Sequence, residues 1–327
     1  MAIKVLKREA AAAAAAVAQQ HQQFVGAGGF RKELEVLTKY RHRNIVELLG
    51  YCLDDGGSGG GAQGGTGWLG MGRVRAAPRQ CLVFEWMAGG SLQSRLLAAN
   101  RAALTAKQRF DIASDIARCL EYVHTKADPP IIQQDVSSDN ILLNVIDGAL
   151  VTKVVDFGKA RYARALLEKG RTHHTTGIVI GKKSYQPYEY TNRGHVSEKT
   201  DTFAFGVVLC ELLTGEPPKD RESGEMLAAK MLEPLADSEH ALPRLLDKRL
   251  GAGEAWPLGR AIRLGCVEAR CIEVMQEARC IVADVLPRAQ RHRRAQGDPP
   301  RGARRGVRPD DGRAGADCSC TTARLNL

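Results

Sequence analysis

The sequence predicts an α+β fold in which a few strands and one helix come first and a mainly helical stretch follows. Three observations carry that expectation. Residues 131–144, IIQQDVSSDNILLN, place an apolar pair and an apolar run on either side of a polar loop, which reads as strand, loop and strand. Cys81, Leu82, Val83 and Phe84 form a compact apolar run that ends at Gly89-Gly90, as a core strand running into a turn does. Finally, Phe110, Ile112, Ile116, Leu120 and Val123 recur at helical intervals, and residues 198–214 are apolar nearly all round, as a helix through the middle of a domain must be.

The 327 residues suffice for one large domain or two ordinary ones with a sizeable core. No run of about 18 apolar residues occurs, so no membrane span is expected. The alanines of residues 10–16 are too few and too weakly apolar to make one. The first residues lack a basic stretch, an apolar stretch and a small-residue cleavage site in succession, which makes the cytoplasm the expected compartment. Nine scattered cysteines fit free thiols better than a disulfide framework. His173-His174 is read as a solvated loop pair rather than a metal site. The net charge of +10 sits largely in the tail: from residue 288 onward ten Arg face four Asp, a balance of +6 that leaves +4 for the rest. A tail of Arg, Gly, Ala and Pro buries too little to fold, and without interleaved aromatics no specific nucleic-acid partner is expected.

In chain order, residues 1–6 begin as a strand carrying Lys4. Phe30, Leu34 and Leu37 then share one helical face, with Glu33 and Glu35 beside it. A turn and strand at residues 42–52 lead to residues 54–80, a Gly-rich insertion with no apolar period. The returning strand reaches Met87, and Thr105 is placed to cap the helix that bears Phe110. The polar loop of residues 133–140 holds Asp135 and, five residues on, Asn140; sixteen residues later Asp156-Phe157-Gly158 forms a turn. Such a loop can hold a metal and a hydroxyl together, because hard cations take oxygen donors. Residues 159–183 are polar, with Thr172, Thr175 and Thr176 as candidate phosphate acceptors. Asp201, near the start of the apolar helix, needs partners if it is buried.

These spacings resemble those of protein kinases, where the catalytic loop reads H-R-D-x-x-x-x-N and the following turn D-F-G. The resemblance covers residues 2–287, through V-A-I-K at Lys4, the hinge-like strand to Met87, Tyr185 to Tyr190 and the helix from Val196 to Gly215, and is nearest to plant receptor-like and interleukin-receptor-associated (Pelle-like) kinases. It implies a bilobal fold with a partial small lobe at 1–87, a large lobe at 88–287 and a disordered tail at 288–327. It implies that Asp135 orients the acceptor hydroxyl, that Asn140 and Asp156 bind Mg²⁺, and that Lys4, paired with Glu33 in preference to Glu35, holds the ATP phosphates. Ala2, Phe84, Glu85, Met87 and Leu142 would enclose the adenine, with Phe84 at the back of the pocket and Glu85 and Met87 at its rim. Backbone N–H groups of the catalytic loop would hold Asp201, and Arg279 would pair with Glu189. Expected partners are ATP, a protein substrate and an upstream receptor or adaptor, the chain being cytoplasmic or the intracellular part of a longer membrane receptor.

Four departures qualify the resemblance. The first two strands and the glycine-rich loop of the small lobe are missing, which leaves a strand edge for a fragment boundary or a partner to account for. Gln133 and Gln134 replace His and Arg, so a phosphorylated loop would find no cation there. Ser137 stands where the catalytic-loop lysine belongs, Asp139 where tyrosine kinases carry arginine, and nothing in the loop neutralises a transferring phosphate. Lys182 occupies the threonine position of G-T-x-x-Y, which blurs Ser/Thr against Tyr acceptors. The expected function is therefore transfer of the ATP γ-phosphate to protein Ser/Thr hydroxyls, probed at Asp135 and slowed by the missing glycine-rich loop and catalytic-loop lysine; the alternative is a kinase-shaped scaffold or binding module, a pseudokinase.

Overall fold

The computed structural model describes residues 1–5, 27–53, 80–98, 102–163, 173–177, 179–231, 245–250 and 271. All belong to a unit of Met1–Ala289, distinct from Gln290–Leu327. The polyalanine tract, residues 54–79 of the Gly-rich insertion, Thr172, Arg279 and the Arg-rich tail lie outside the described residues.

The first part is a three-stranded antiparallel sheet with one helix. Strand β1 (Ala2–Val5) is followed by helix α1 (Ala27–Lys39), then by β2 (Leu48–Leu53) and β3 (Gln80–Phe84), in the sheet order β1-β3-β2. The register sets Ala2 opposite Phe84 and Lys4 opposite Leu82. Helix α1 buries Phe30, Val36 and Leu37 and half-buries Leu34, so its apolar stripe is wider than the three residues expected. Glu33 lies on this buried side.

Next come β4 (Gly90–Ser91), α2 (Leu92–Leu96) and α3 (Ala106–Glu121). Thr105 caps α3 in a reciprocal box: its Oγ1 accepts the Gln108 N–H at 3.2 Å, and Gln108 Oε1 accepts the Thr105 N–H at 3.0 Å. A cap of this kind stabilises a helix by about 1 kcal/mol. Ile112, Ile116, Leu120 and Val123 are fully buried, but Phe110 is only half-buried. Its neighbour Arg109 is completely enclosed instead, donating to the carbonyls of Leu104 and Leu212 at 2.9 and 2.8 Å and to Asp247 Oδ2 at 2.5 Å.

The segment after α3 supplies β5 (Ile131–Ile132), then the hairpin of β6 (Ile141–Ile146) and β7 (Ala149–Val154), then β8 (Arg161–Tyr162) and β9 (His174–Thr175). Helix α4 (Tyr188–Arg193), β10 (His195–Val196) and helix α5 (Glu198–Thr214) follow. Along α5 only three residues escape burial, and Gly215 ends it at a φ of +70°, a left-handed conformation that suits glycine. One apolar cluster runs from Phe30 and Leu82 through Ile112 and Phe157 to Phe205, so both parts share a core. His173-His174 departs from expectation: both are half-buried, His173 stacking on His195 at 3.9 Å and His174 pairing β9 with β10. Among the described residues no helix is long and apolar enough to cross a membrane.

Candidate active site

The loop between β5 and β6 is held from below by one buried carboxylate. Asp201, in the first turn of α5, accepts the N–H of Gln133 at 2.7 Å and of Gln134 at 2.8 Å, and its Oδ2 lies 2.8 Å from His124 Nε2. Gln134 and Asp156 sit at φ of +64° and +62°, which non-glycine residues adopt only when their surroundings compel it, at about 1 kcal/mol or more each. The compulsion comes from amides. Gln133 accepts the Asp135 N–H at 2.9 Å and donates to the Asp156 carbonyl at 3.0 Å, while Gln134 donates to the Lys159 carbonyl at 2.9 Å. The two residues that replace His and Arg thus stitch the loop to the turn at Asp156.

Above this base the charged groups converge. Asn140 Nδ2 donates to the carbonyl and to Oδ2 of Asp135, each at 2.9 Å, and Lys159 Nζ lies 2.8 Å from Asp135 Oδ1. Burial pushes the Asp135 carboxyl above its usual range, against the pull of Lys159. Lys4, from β1, reaches Glu33 Oε2 of α1 at 2.7 Å and Asp156 Oδ1 at 3.3 Å. Burial works against the Lys4 charge, but the two carboxylates outweigh it and raise its pKa. Glu35 turns away, to Lys32 at 2.8 Å and to the Tyr162 hydroxyl. Three segments far apart in sequence therefore meet at one ammonium.

Of the residues expected around adenine, Phe84 and Met87 are buried, and Ala2, Glu85 and Leu142 are half-buried. Met87, expected at the rim, is 5% exposed, and its carbonyl accepts the Gly90 N–H at 3.2 Å. The Glu85 side chain is engaged with Lys153 Nζ and the Glu47 N–H, both at 2.8 Å. Glu189, in α4, is buried, and its expected partner Arg279 is not among the described residues.

The catalytic loop carries no cation of its own, but two arrive from outside it, Lys159 on Asp135 and Lys182 on Ser137 Oγ at 3.0 Å and on Asp139. Neither was expected. A buried cluster beneath was also missed: Glu211 accepts from Ser138 Oγ at 2.7 Å and from the Tyr185 hydroxyl at 2.9 Å, and burial pushes its carboxyl up to about 8. The sequence did carry a signal for it, since Glu211 is a lone acid inside the otherwise apolar second half of α5.

The donor set fits a magnesium-bound nucleotide. Asn140 commits its amide nitrogen to Asp135, which leaves Oδ1, the atom a hard cation takes, and Asp156 keeps a carboxylate that is one-third exposed. A small sheet with one helix, a mainly helical second part and a lysine–carboxylate pair beside an Asp/Asn/Asp set define the class of bilobal α+β phosphotransferase folds. The chain belongs to the protein kinase domain family, which matches residues 1–286. It is of the plant receptor-like type. Relatives from Arabidopsis thaliana include a probable leucine-rich repeat receptor-like protein kinase, 33% identical over 86% of this chain and 28% of that protein. The receptor-like protein kinase THESEUS 1 is 38% identical over 59% of this chain and 19% of its own length. The serine/threonine-protein kinase PBS1 is 32% identical over 79% and 50%. The chain thus spans half or less of the length of each of these relatives.

Proposed function

We propose that the chain transfers the γ-phosphate of ATP to serine or threonine hydroxyls of proteins, with Mg²⁺ as cofactor. The observation that carries this reading is the meeting of Lys4, Glu33 and Asp156, with Lys4 Nζ 2.7 Å from one carboxylate and 3.3 Å from the other. In this reading Asp135 takes the hydroxyl proton, its raised pKa suiting a base that must hold a proton briefly. Asn140 and Asp156 hold Mg²⁺, and Lys4, fixed by Glu33, holds the α- and β-phosphates. Ala2, Phe84, Met87 and Leu142 close around the adenine, and the backbone at Glu85 and Met87 offers its hydrogen bonds. ATP supplies the phosphoryl group, and the metal neutralises its charge.

Residues 1–87 act as the partial small lobe and residues 88–287 as the large one, the chain working in the cytoplasm on a protein substrate and under an upstream receptor or adaptor. The similarity to PBS1, a serine/threonine-protein kinase, supports serine/threonine acceptors. Transfer is favoured over the binding-module alternative because an ammonium, that of Lys182, stands 3.0 Å from Ser137, whose lack of charge prompted that alternative together with the missing glycine-rich loop. The test is labelling of a generic protein substrate with radioactive ATP and Mg²⁺, wild type against Asp135→Asn, followed by identification of the labelled amino acid. Wild type is expected to label serine or threonine and the variant to fall at least a hundredfold; equal labelling refutes the reading.

A further inference from the structure

The reading above gives Lys182 no part in the transfer step itself, yet the residue lies on the segment next to Asp135. The preceding Gly181 has a φ of +117°, and a Cβ added there would stand 2.9 Å from Gln186 Nε2 and 3.6 Å from Asp135 Oδ1. The backbone angle, rather than the contact with Asp135, is what calls for glycine here. The next side chain crosses to the loop, with Nζ 3.0 Å from Ser137 Oγ and bonded to both carboxylate oxygens of Asp139. It is 41% exposed and borders a hollow lined by Gln134, Asp135, Ser137, Tyr185 and Gln186. Ser137 stands where the resembled pattern has lysine and Lys182 where it has threonine, so hydroxyl and ammonium have exchanged places across one hydrogen bond.

We propose that Lys182 is the catalytic cation on the transferring phosphoryl group, supplied from the segment over Asp135, with Ser137 Oγ aiming it and Asp139 as its counter-ion at rest. The inference rests on the phosphotransfer reading. In the step, the acceptor oxygen forms its bond to phosphorus while the bond to the ADP oxygen breaks and its electron pair leaves on ADP. The hydroxyl proton passes to Asp135. Lys182 stays protonated and exchanges its bonds to Asp139 for one to a phosphoryl oxygen, since an ammonium has three donors and Ser137 takes one. A charge-assisted hydrogen bond of this kind accelerates the reaction roughly ten- to a hundred-fold.

The test uses the full chain and four proteins: wild type, Lys182→Met, Asp139→Asn and the exchange pair Ser137→Lys with Lys182→Thr. Lys182→Met is expected to lower kcat ten- to a hundred-fold with the KM for ATP within about threefold. Asp139→Asn, which frees the ammonium, is expected to raise kcat, and the exchange pair to recover most of the loss. Parallel losses in Lys182→Met and Asp139→Asn would show the pair to be only a structural clasp and overturn the proposal, as would a wild-type kcat in Lys182→Met. A second measurement decides the matter if wild type labels no better than Asp135→Asn, the result that sinks the phosphotransfer reading itself. The thermal shift given by Mg²⁺, ADP and aluminium fluoride, a mimic of the phosphoryl in transfer, should be lost in Lys182→Met and kept in Asp139→Asn. Equal shifts in wild type and Lys182→Met overturn the role of Lys182.

Discussion

Asp201→Asn should loosen the catalytic loop at one identifiable bond. In the folded protein Oδ2 of Asp201 serves both the Gln133 N–H at 2.7 Å and His124 Nε2 at 2.8 Å, while Oδ1 serves the Gln134 N–H at 2.8 Å. An asparagine has one carbonyl oxygen, and it keeps most by pointing that oxygen at Gln133 and His124. Its NH₂ then faces the Gln134 N–H, donor against donor. The bonds that survive lose their charge assistance, about 1 kcal/mol, and the Gln134 N–H is left without an acceptor against a side chain that is itself only 1% exposed, about 1–3 kcal/mol more. The sum, roughly 2–4 kcal/mol, is a large share of a typical 5–15 kcal/mol stability. Because Gln134 is held at a φ of +64°, it is also the residue most ready to relax once released. Urea denaturation of wild type and variant gives the stability difference, and amide hydrogen exchange reports on Gln134 itself. A loss below about 0.5 kcal/mol with the Gln134 amide still protected would refute the account of how the loop is held.

Two further changes test the interior. Arg109→Met removes the donors of the Leu104 and Leu212 carbonyls and one of the two guanidinium groups on Asp247, and should cost about 3 kcal/mol in urea; near-wild-type stability would show those bonds to be dispensable. Burial opposes the Asp247 charge, but bonds from Arg249 and Arg109 hold its carboxyl down at about 2, so its stabilisation is present above pH 4 and is lost as pH falls through 2. Arg109→Met should shrink that acid-side loss. Glu211 behaves in the opposite sense. Its folded pKa of about 8 exceeds the ordinary 4.5, so its contribution is complete below pH 4.5 and declines as pH rises through 8, by an amount on the order of 5 kcal/mol. Glu211→Gln should flatten the fall in thermal stability between pH 5 and 8.5; an unchanged slope would assign it elsewhere.

Spacing and period made much of this architecture legible. The strand, loop and strand around Asp135, the Thr105 cap and the all-apolar α5 depend on neighbours within a few residues, which a linear reading captures. The pairing of Lys4 with Glu33 was legible only through resemblance, because nothing local relates two charges 29 residues apart. Arg109 was not legible: a helical period treats arginine as a solvent-facing residue, and the carboxylate that allows its burial lies 138 residues away. Gln133 and Gln134 looked like losses of charge, whereas amides both donate and accept and so can bridge two backbone segments. Lys182 was seen as an oddity of acceptor choice because its contact with Ser137 spans 45 residues.

Strand β1 is four residues long, bonds to β3 alone among the described residues and exposes Ile3 and Val5, yet it carries Lys4. A short border strand frays more readily than the helices beneath it. In the proposed reading, the phosphates would lose their ammonium whenever it lifts away, and nucleotide affinity would scale with the fraction of time the strand is docked. On that reading, a neighbour laid along its open side would act as a tightening agent for ATP without touching the nucleotide.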